Sequence, residues 1–170
     1  MRNIIILLFF ILTSAQAFAR PLTPTEHSSL NAVVEEYTAD MLAKNFDGIM
    51  EIAPDKIIHH ISGIVNKSAD EVRKMMADQT VDVMDTVSIK SFQVNLAGLD
   101  LTDAQNDDGS SVTYSVVPYS MRMLLNGREY NETTTLLALY ETNQWWLVRF
   151  DSKQTELLIA VYPFLKDVDF

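Results

Sequence analysis

Residues 111–141 read SVTYSVVPYSMRMLL, then NG, then REYNETTTLLALYE, and this stretch decides the fold. Two long runs rich in β-branched and aromatic residues flank Asn126-Gly127, and Asn-Gly is the strongest short signal for a two-residue hairpin turn. Such a turn needs positive φ at both central residues, which Asn and Gly tolerate. It pairs Leu125 with Arg128 and so fixes the register of Ser111–Leu125 against Arg128–Glu141. Tyr119 then lies opposite Thr134, Val117 opposite Leu136 and Met121 opposite Glu132. A second turn at Thr142-Asn143 pairs Glu141 with Gln144 and opens another strand, Trp145–Asp151. That pairing sets Leu136 opposite Arg149 and Thr134 opposite Asp151.

Because side chains alternate along a strand, the register assigns every residue to a face. One face carries Val117, Tyr119, Met121, Met123, Glu132, Thr134, Leu136, Ala138, Trp145, Leu147, Arg149 and Asp151. The other carries Tyr114, Val116, Pro118, Arg122, Thr133, Thr135, Leu137, Leu139, Trp146, Val148 and Phe150. Both faces are rich in large apolar side chains, so each requires a cover.

Upstream the period is helical. Thr23-Pro24-Thr25-Glu26 reads as a capping box with Pro in the first turn, and Leu30, Val33, Val34, Tyr37, Met41 and Leu42 follow at helical spacing to about Asn45. Phe46–Ile52 is a short second helix stopped by Pro54, and Lys56–Ile61 is expected as a brief strand before Gly63. Ser68-Ala69-Asp70-Glu71 is a second capping box, opening a third helix that runs to about Met84. Val87–Leu101 is expected as one long strand whose apolar set shifts between Ile89 and Phe92, as a bulge produces. Asn106–Gly109 is a polar turn, and Ser152–Tyr162 reads equally as a last helix or a strand.

The chain has 170 residues, of which 48% are hydrophobic and 21% charged, the profile of one globular domain of α+β class. It contains no cysteine, which excludes disulfides, thiolate nucleophiles, Cys-based zinc sites and a lipid-anchored N-terminal cysteine. A formal charge of −10 argues against a nucleic-acid partner. Arg2, the apolar run Ile4–Leu12 and the small-residue sites Ala15-Gln16-Ala17 and Ala17-Phe18-Ala19 form a secretory leader. The expected division is residues 1–19 as signal peptide, cleaved after Ala17 or Ala19, and 20–170 as a single domain. The apolar run is too short to span a bilayer, so no membrane segment remains after cleavage. Its compactness suits export to a bacterial periplasm.

The order of elements resembles the NTF2-like (SnoaL-like, cystatin-like) superfamily over nearly the whole mature chain. The local carriers are Asn45-Phe46-Asp47, Ala53-Pro54-Asp55 and the late strand Asn143-Gln144-Trp145-Trp146-Leu147-Val148-Arg149-Phe150-Asp151. The resemblance implies N-terminal helices packed on a strongly bent antiparallel sheet that forms a cone. The Trp145 face would look into the cone, with Tyr119, Thr134, Arg149 and Asp151 as a polar knot near Glu132, and Tyr37 reaching in from the first helix. Arg149 and Asp151 also fit a plain ion pair at the rim. The opposite face, with Trp146, Val148 and Phe150, would be a homodimer interface unless the C-terminal segment folds over it.

His59 and His60 are the only adjacent histidines; on a strand they point to opposite faces, so they cannot share a metal, though one could face the cone as a general base. No cofactor or metal motif is present. Asn66-Lys67-Ser68 and Asn131-Glu132-Thr133 match a glycosylation pattern that matters only in a eukaryotic secretory host. Three functions fit. The first is an exported non-enzymatic binding module for a small apolar or amphipathic ligand or a basic protein partner. The second is a lyase, isomerase or hydrolase using His59 or Asp151 as base with Tyr119 or Arg149 polarising the substrate. The third is a structural subunit of an envelope complex.

Overall fold

The computed structural model describes residues 19–150 and 154–168. The expected leader therefore lies outside the described residues except for Ala19, as does Asp151. Ala19–Pro21 forms a short strand, β1. The capping box then starts α1, Pro24–Ala43, with the Thr23 hydroxyl accepting from the Glu26 N–H and the Glu26 carboxylate accepting from the Thr23 N–H. Lys44 closes α1 in the left-handed conformation, φ 55°. Helix α2, Phe46–Glu51, is capped by the Asn45 side chain. The second capping box opens α4, Ala69–Met84.

Between them the structure corrects the sequence expectation. Lys56–Ile61 is not a strand but the first part of helix α3, Asp55–Val65. Ile57, Ile58 and Ile61 recur at i, i+1 and i+4, a helical spacing hidden in so short a window. Ile57 packs with the outer sheet cluster, Ile58 packs against Val72 of α4, and Ile61 touches both groups. His59 and His60 consequently lie exposed on the same helix.

The sheet is antiparallel, with order β1-β3-β4-β5-β6 and β2 also paired to β4. Strands β4, Ser111–Leu125, and β5, Arg128–Glu141, meet in the expected register, Leu125 opposite Arg128 and Tyr119 opposite Thr134. Asn126 and Gly127 have φ of 51° and 77°, the conformation that their turn demands. Strand β6, Gln144–Phe150, sets Arg149 opposite Leu136 as expected. The long strand expected over Val87–Leu101 is instead two strands, β2, Val87–Val94, and β3, Asp100–Gln105. The break arises because the Asn95 side chain accepts from the Ala97 N–H and Gly98 takes φ 70°. The register of β2 shifts between Ile89 and Ser91, where the apolar pattern places a bulge. β2 and β3 lie end to end along the edge of β4 that β5 does not occupy.

Both sheet faces are covered. The inner face packs Val117, Tyr119, Leu136, Ala138, Trp145 and Leu147 against Leu30, Val34 and Tyr37 of α1, together with Phe92 from β2. The Trp145 indole N–H donates to the Ser29 hydroxyl at 2.9 Å, which ties β6 to α1. On the outer face Leu137, Leu139 and Trp146 pack under helix α5, Thr155–Val161, and a short 3-10 helix, Pro163–Asp167. The ambiguous Ser152–Tyr162 stretch is thus a helix from Thr155, with Gln154 at its N-cap. Trp146 is only 6% exposed beneath this strap, so it is an internal packing residue and not an open docking surface. Val148 is half-buried at the margin of the same cluster, and the Phe150 side chain lies outside the described set.

A polar clasp holds the strap down. The fully buried Tyr162 hydroxyl donates to Glu141 Oε1 at 2.6 Å, and Lys56 Nζ sits 3.2 Å from Glu141 Oε2. Lys56 also donates to the Ser110 hydroxyl at 3.0 Å, joining α3 to the turn before β4. The buried carboxylate is thereby paired and hydrogen-bonded, as a buried charge must be.

Candidate functional site

A cavity of about 570 Å³ opens between α1, α2, α4 and the inner sheet face. Tyr37 and Met41 come from α1, Phe46, Ile49 and Met50 from α2, and Met76, Gln79, Thr80, Val83 and Met84 from α4. The sheet contributes Met121, Met123, Glu132 and Arg149, and Gln154 completes the wall from the start of the strap. A smaller chamber of about 150 Å³ continues inward between α3 and β6, sharing Tyr37, Ile49, Met50, Met76, Arg149 and Gln154 with the first.

Four contacts fix the walls. Lys44 Nζ donates to the Met84 carbonyl at 2.8 Å, holding the ends of α1 and α4 together. Arg73 of α4 donates to the Met50 carbonyl and, at 2.5 Å, to Asp55, which pins α2 and the start of α3 to α4. The Leu147 N–H donates to the Ile52 carbonyl at 3.0 Å, joining the end of α2 to β6.

The polar side chains on the wall are Tyr37, Gln79, Thr80, Gln154, Glu132 and Arg149. Arg149 Nη2 donates to Glu132 Oε1 at 2.6 Å, with the two side chains 43% and 28% exposed. On one sheet face but on different strands, these groups meet where the register had placed Glu132 merely nearby. A pair this exposed contributes at most about 1 kcal/mol to stability. The Tyr37 phenol is held protonated, because burial and neighbouring Tyr119 raise its pKa, partly opposed by Arg149.

Of the residues nominated from sequence, Tyr37 and Arg149 line the cavity. Tyr119 is buried behind it, stacked on Phe92 with ring centroids 4.8 Å apart. Thr134 is half-buried opposite Tyr119 and does not line the cavity. His59 stands exposed on α3 and lines neither chamber; the expectation that one histidine of the pair faces the cone fails because α3 is a helix. Among the described residues, no group of three or more His, Asp or Glu gathers as a metal site. Nor is any helix among them long and apolar enough to cross a membrane.

The methionines are what sequence reasoning missed. Of eight in the chain, six line this one cavity, and the other two are Met1 and Met75. Met121 and Met123 were legible on the inner face, but Met41, Met50, Met76 and Met84 come from three helices whose approach no local pattern encodes.

No known protein family and no curated protein matches the chain. Among solved structures it is similar to Aln2 from a Streptomyces species, with 11% identity and a TM-score of 0.44 over 83% of this chain and 99% of that one. The class that the architecture defines is an α+β domain, with helices packed on an open six-stranded antiparallel sheet.

Proposed function

We propose that this chain is an exported, non-enzymatic binding module of NTF2-like fold that holds a small apolar or amphipathic ligand between its helices and its sheet. The observation that carries this reading is the cavity: its volume is about 570 Å³, within the range of small-molecule sites, and its wall joins methionine, aromatic and aliphatic side chains to Gln79, Thr80, Gln154 and one ion pair. Arg149 and Glu132 would meet the polar end of an amphipathic ligand, and the inner chamber its apolar end. The leader pattern at residues 1–19 supports delivery to a bacterial periplasm. The non-enzymatic reading is favoured by the pairing of Glu132 with Arg149, which commits the cavity's described carboxylate, and by the position of His59 outside the cavity.

Titration with the neutral fluorophore N-phenyl-1-naphthylamine tests the proposal. One probe should bind per chain with enhanced fluorescence. Met50→Trp combined with Met84→Trp, which fills the cavity from α2 and α4, should abolish that binding while the circular dichroism spectrum is retained. Equal binding by the folded filled variant would place the probe elsewhere and remove the proposal's support.

A further inference from the structure

The cavity wall has a chemistry that ligand burial alone does not require. Thioethers are the only sulfur in this cysteine-free chain, and six of its eight methionines are gathered at one place. Met41, Met50, Met76, Met84 and Met123 are half-buried, so solvent reaches them, whereas Met121 is only 4% exposed. Leucine would supply the same apolar volume without a reactive atom. From this placement we infer that the cavity methionines are a site of reversible sulfoxidation by a two-electron oxidant, peroxide or hypochlorous acid, and that oxidation expels the ligand. This rests on the proposed ligand site.

With hydrogen peroxide the chemistry balances simply. The O–O bond breaks, one oxygen bonds to the thioether sulfur, and the peroxide is reduced to water. The product is a strongly polar sulfoxide where an apolar ligand would otherwise lie against a thioether. Within the cavity the remaining lining polar side chains are Tyr37, Gln79, Thr80, Gln154 and the paired Glu132 and Arg149. Covering unpartnered polar groups with an apolar ligand should lower affinity by roughly ten- to a hundredfold. Restoration is reduction of the sulfoxides by methionine sulfoxide reductases, which act separately on the two epimers; an external dithiol supplies the two electrons and becomes a disulfide, and the oxygen leaves as water.

The experiment compares each protein with itself before and after peroxide, reading N-phenyl-1-naphthylamine affinity and locating the added oxygen, about 16 Da per sulfoxide, by peptide mass mapping. In the unaltered chain, oxidation should map to the half-buried cavity methionines and to the equally half-buried Met75, affinity should fall at least about tenfold, and reductase treatment should restore it. The Met75→Leu chain, altered outside the cavity, should respond identically. In the combined Met41→Leu, Met50→Leu, Met76→Leu, Met84→Leu, Met123→Leu chain, peroxide should leave affinity within about twofold of its own starting value. Should that chain not fold, graded oxidation and reductase rescue of the unaltered protein carry the test, since affinity must track cavity sulfoxide content. Cavity oxidation with unchanged affinity, or an equal peroxide loss in the folded leucine chain, overturns the inference and leaves the ligand site standing. Failure of the unoxidised protein to bind any probe overturns the ligand site, and the inference with it.

Discussion

Replacing Tyr162 by Phe isolates the clasp over the outer sheet face. The ring and its packing against Phe164, with centroids 5.9 Å apart, are retained, and only the hydroxyl is lost. That hydroxyl is the 2.6 Å donor to Glu141 Oε1, in a residue only 7% exposed, so water cannot readily replace it. A hydrogen bond to a charged acceptor is worth about 1.5–3 kcal/mol, so Tyr162→Phe should cost about 2 kcal/mol. The Lys56 contact at 3.2 Å remains and keeps the loss below that of a wholly unpaired carboxylate. For a chain of this size, 1 kcal/mol moves Tm by about 2–4 °C, so a fall of about 4–8 °C is expected. Urea unfolding should show a lower midpoint at an unchanged slope, which marks a change in stability and not in compactness. Glu141→Gln in the same background should show coupling of about 1 kcal/mol or more, because both changes act on one bond. A Tyr162→Phe effect within about 0.5 kcal/mol, the size of an ordinary surface change, would refute the claim that the clasp holds the strap.

Alkaline pH should act through the same residue. Burial first, then the Glu141 hydrogen bond, raises the Tyr162 pKa, and Tyr37 is raised chiefly by burial. Above about pH 10 the unfolded chain loses phenolic protons that the folded chain keeps, so stability should decline as pH rises from there. Ultraviolet difference spectra should show both phenols ionising only with unfolding; ionisation of either in the folded protein would contradict its burial. At the acid end, the pKa of Glu26 is lowered to about 2, mainly by its hydrogen bond to Arg20, so its contribution is present above about 4.5 and is lost as pH falls toward 2. Arg20 is 38% exposed, so solvent screening limits this contribution to about 1 kcal/mol, and Glu26→Gln should flatten the acid limb of urea midpoints by no more than that. Phe92→Ala should cost about 3–5 kcal/mol in urea unfolding, because Phe92 fills the space between Tyr37 and Tyr119 at 5.7 and 4.8 Å. Glu132→Gln should change stability by less than about 1 kcal/mol yet shift the affinity for an anionic naphthalene probe, by freeing Arg149.

How much of this was legible in sequence depends on the range over which each feature is encoded. The Asn126-Gly127 turn fixes the pairing of β4 and β5, and alternation carries that register to β6, so the face of every residue from Val117 to Arg149 could be read. The two capping boxes likewise report local hydrogen bonds made by residues three apart. The α3 helix was misread because Lys56–Ile61 is too short to separate the two periods; the apolar spacing of Ile57, Ile58 and Ile61 was the available signal. The split between β2 and β3 was announced by Asn95 and Gly98, turn residues within an otherwise strand-like run. The methionine wall and the Glu132–Arg149 pair were harder, since both depend on tertiary approach. The Trp146 face needed a cover, but only the packing of Leu158, Tyr162 and Leu165 on it showed that the chain supplies its own.

The central claim is that the cavity holds a small ligand, and native mass spectrometry of the protein drawn from its own source cells tests it most directly. The protein should carry a mass excess on the order of a few hundred daltons that is released on denaturation. The excess should be absent from the chain carrying Met50→Trp and Met84→Trp. A bare chain from the same cells, with a cavity that also takes no probe, would contradict it.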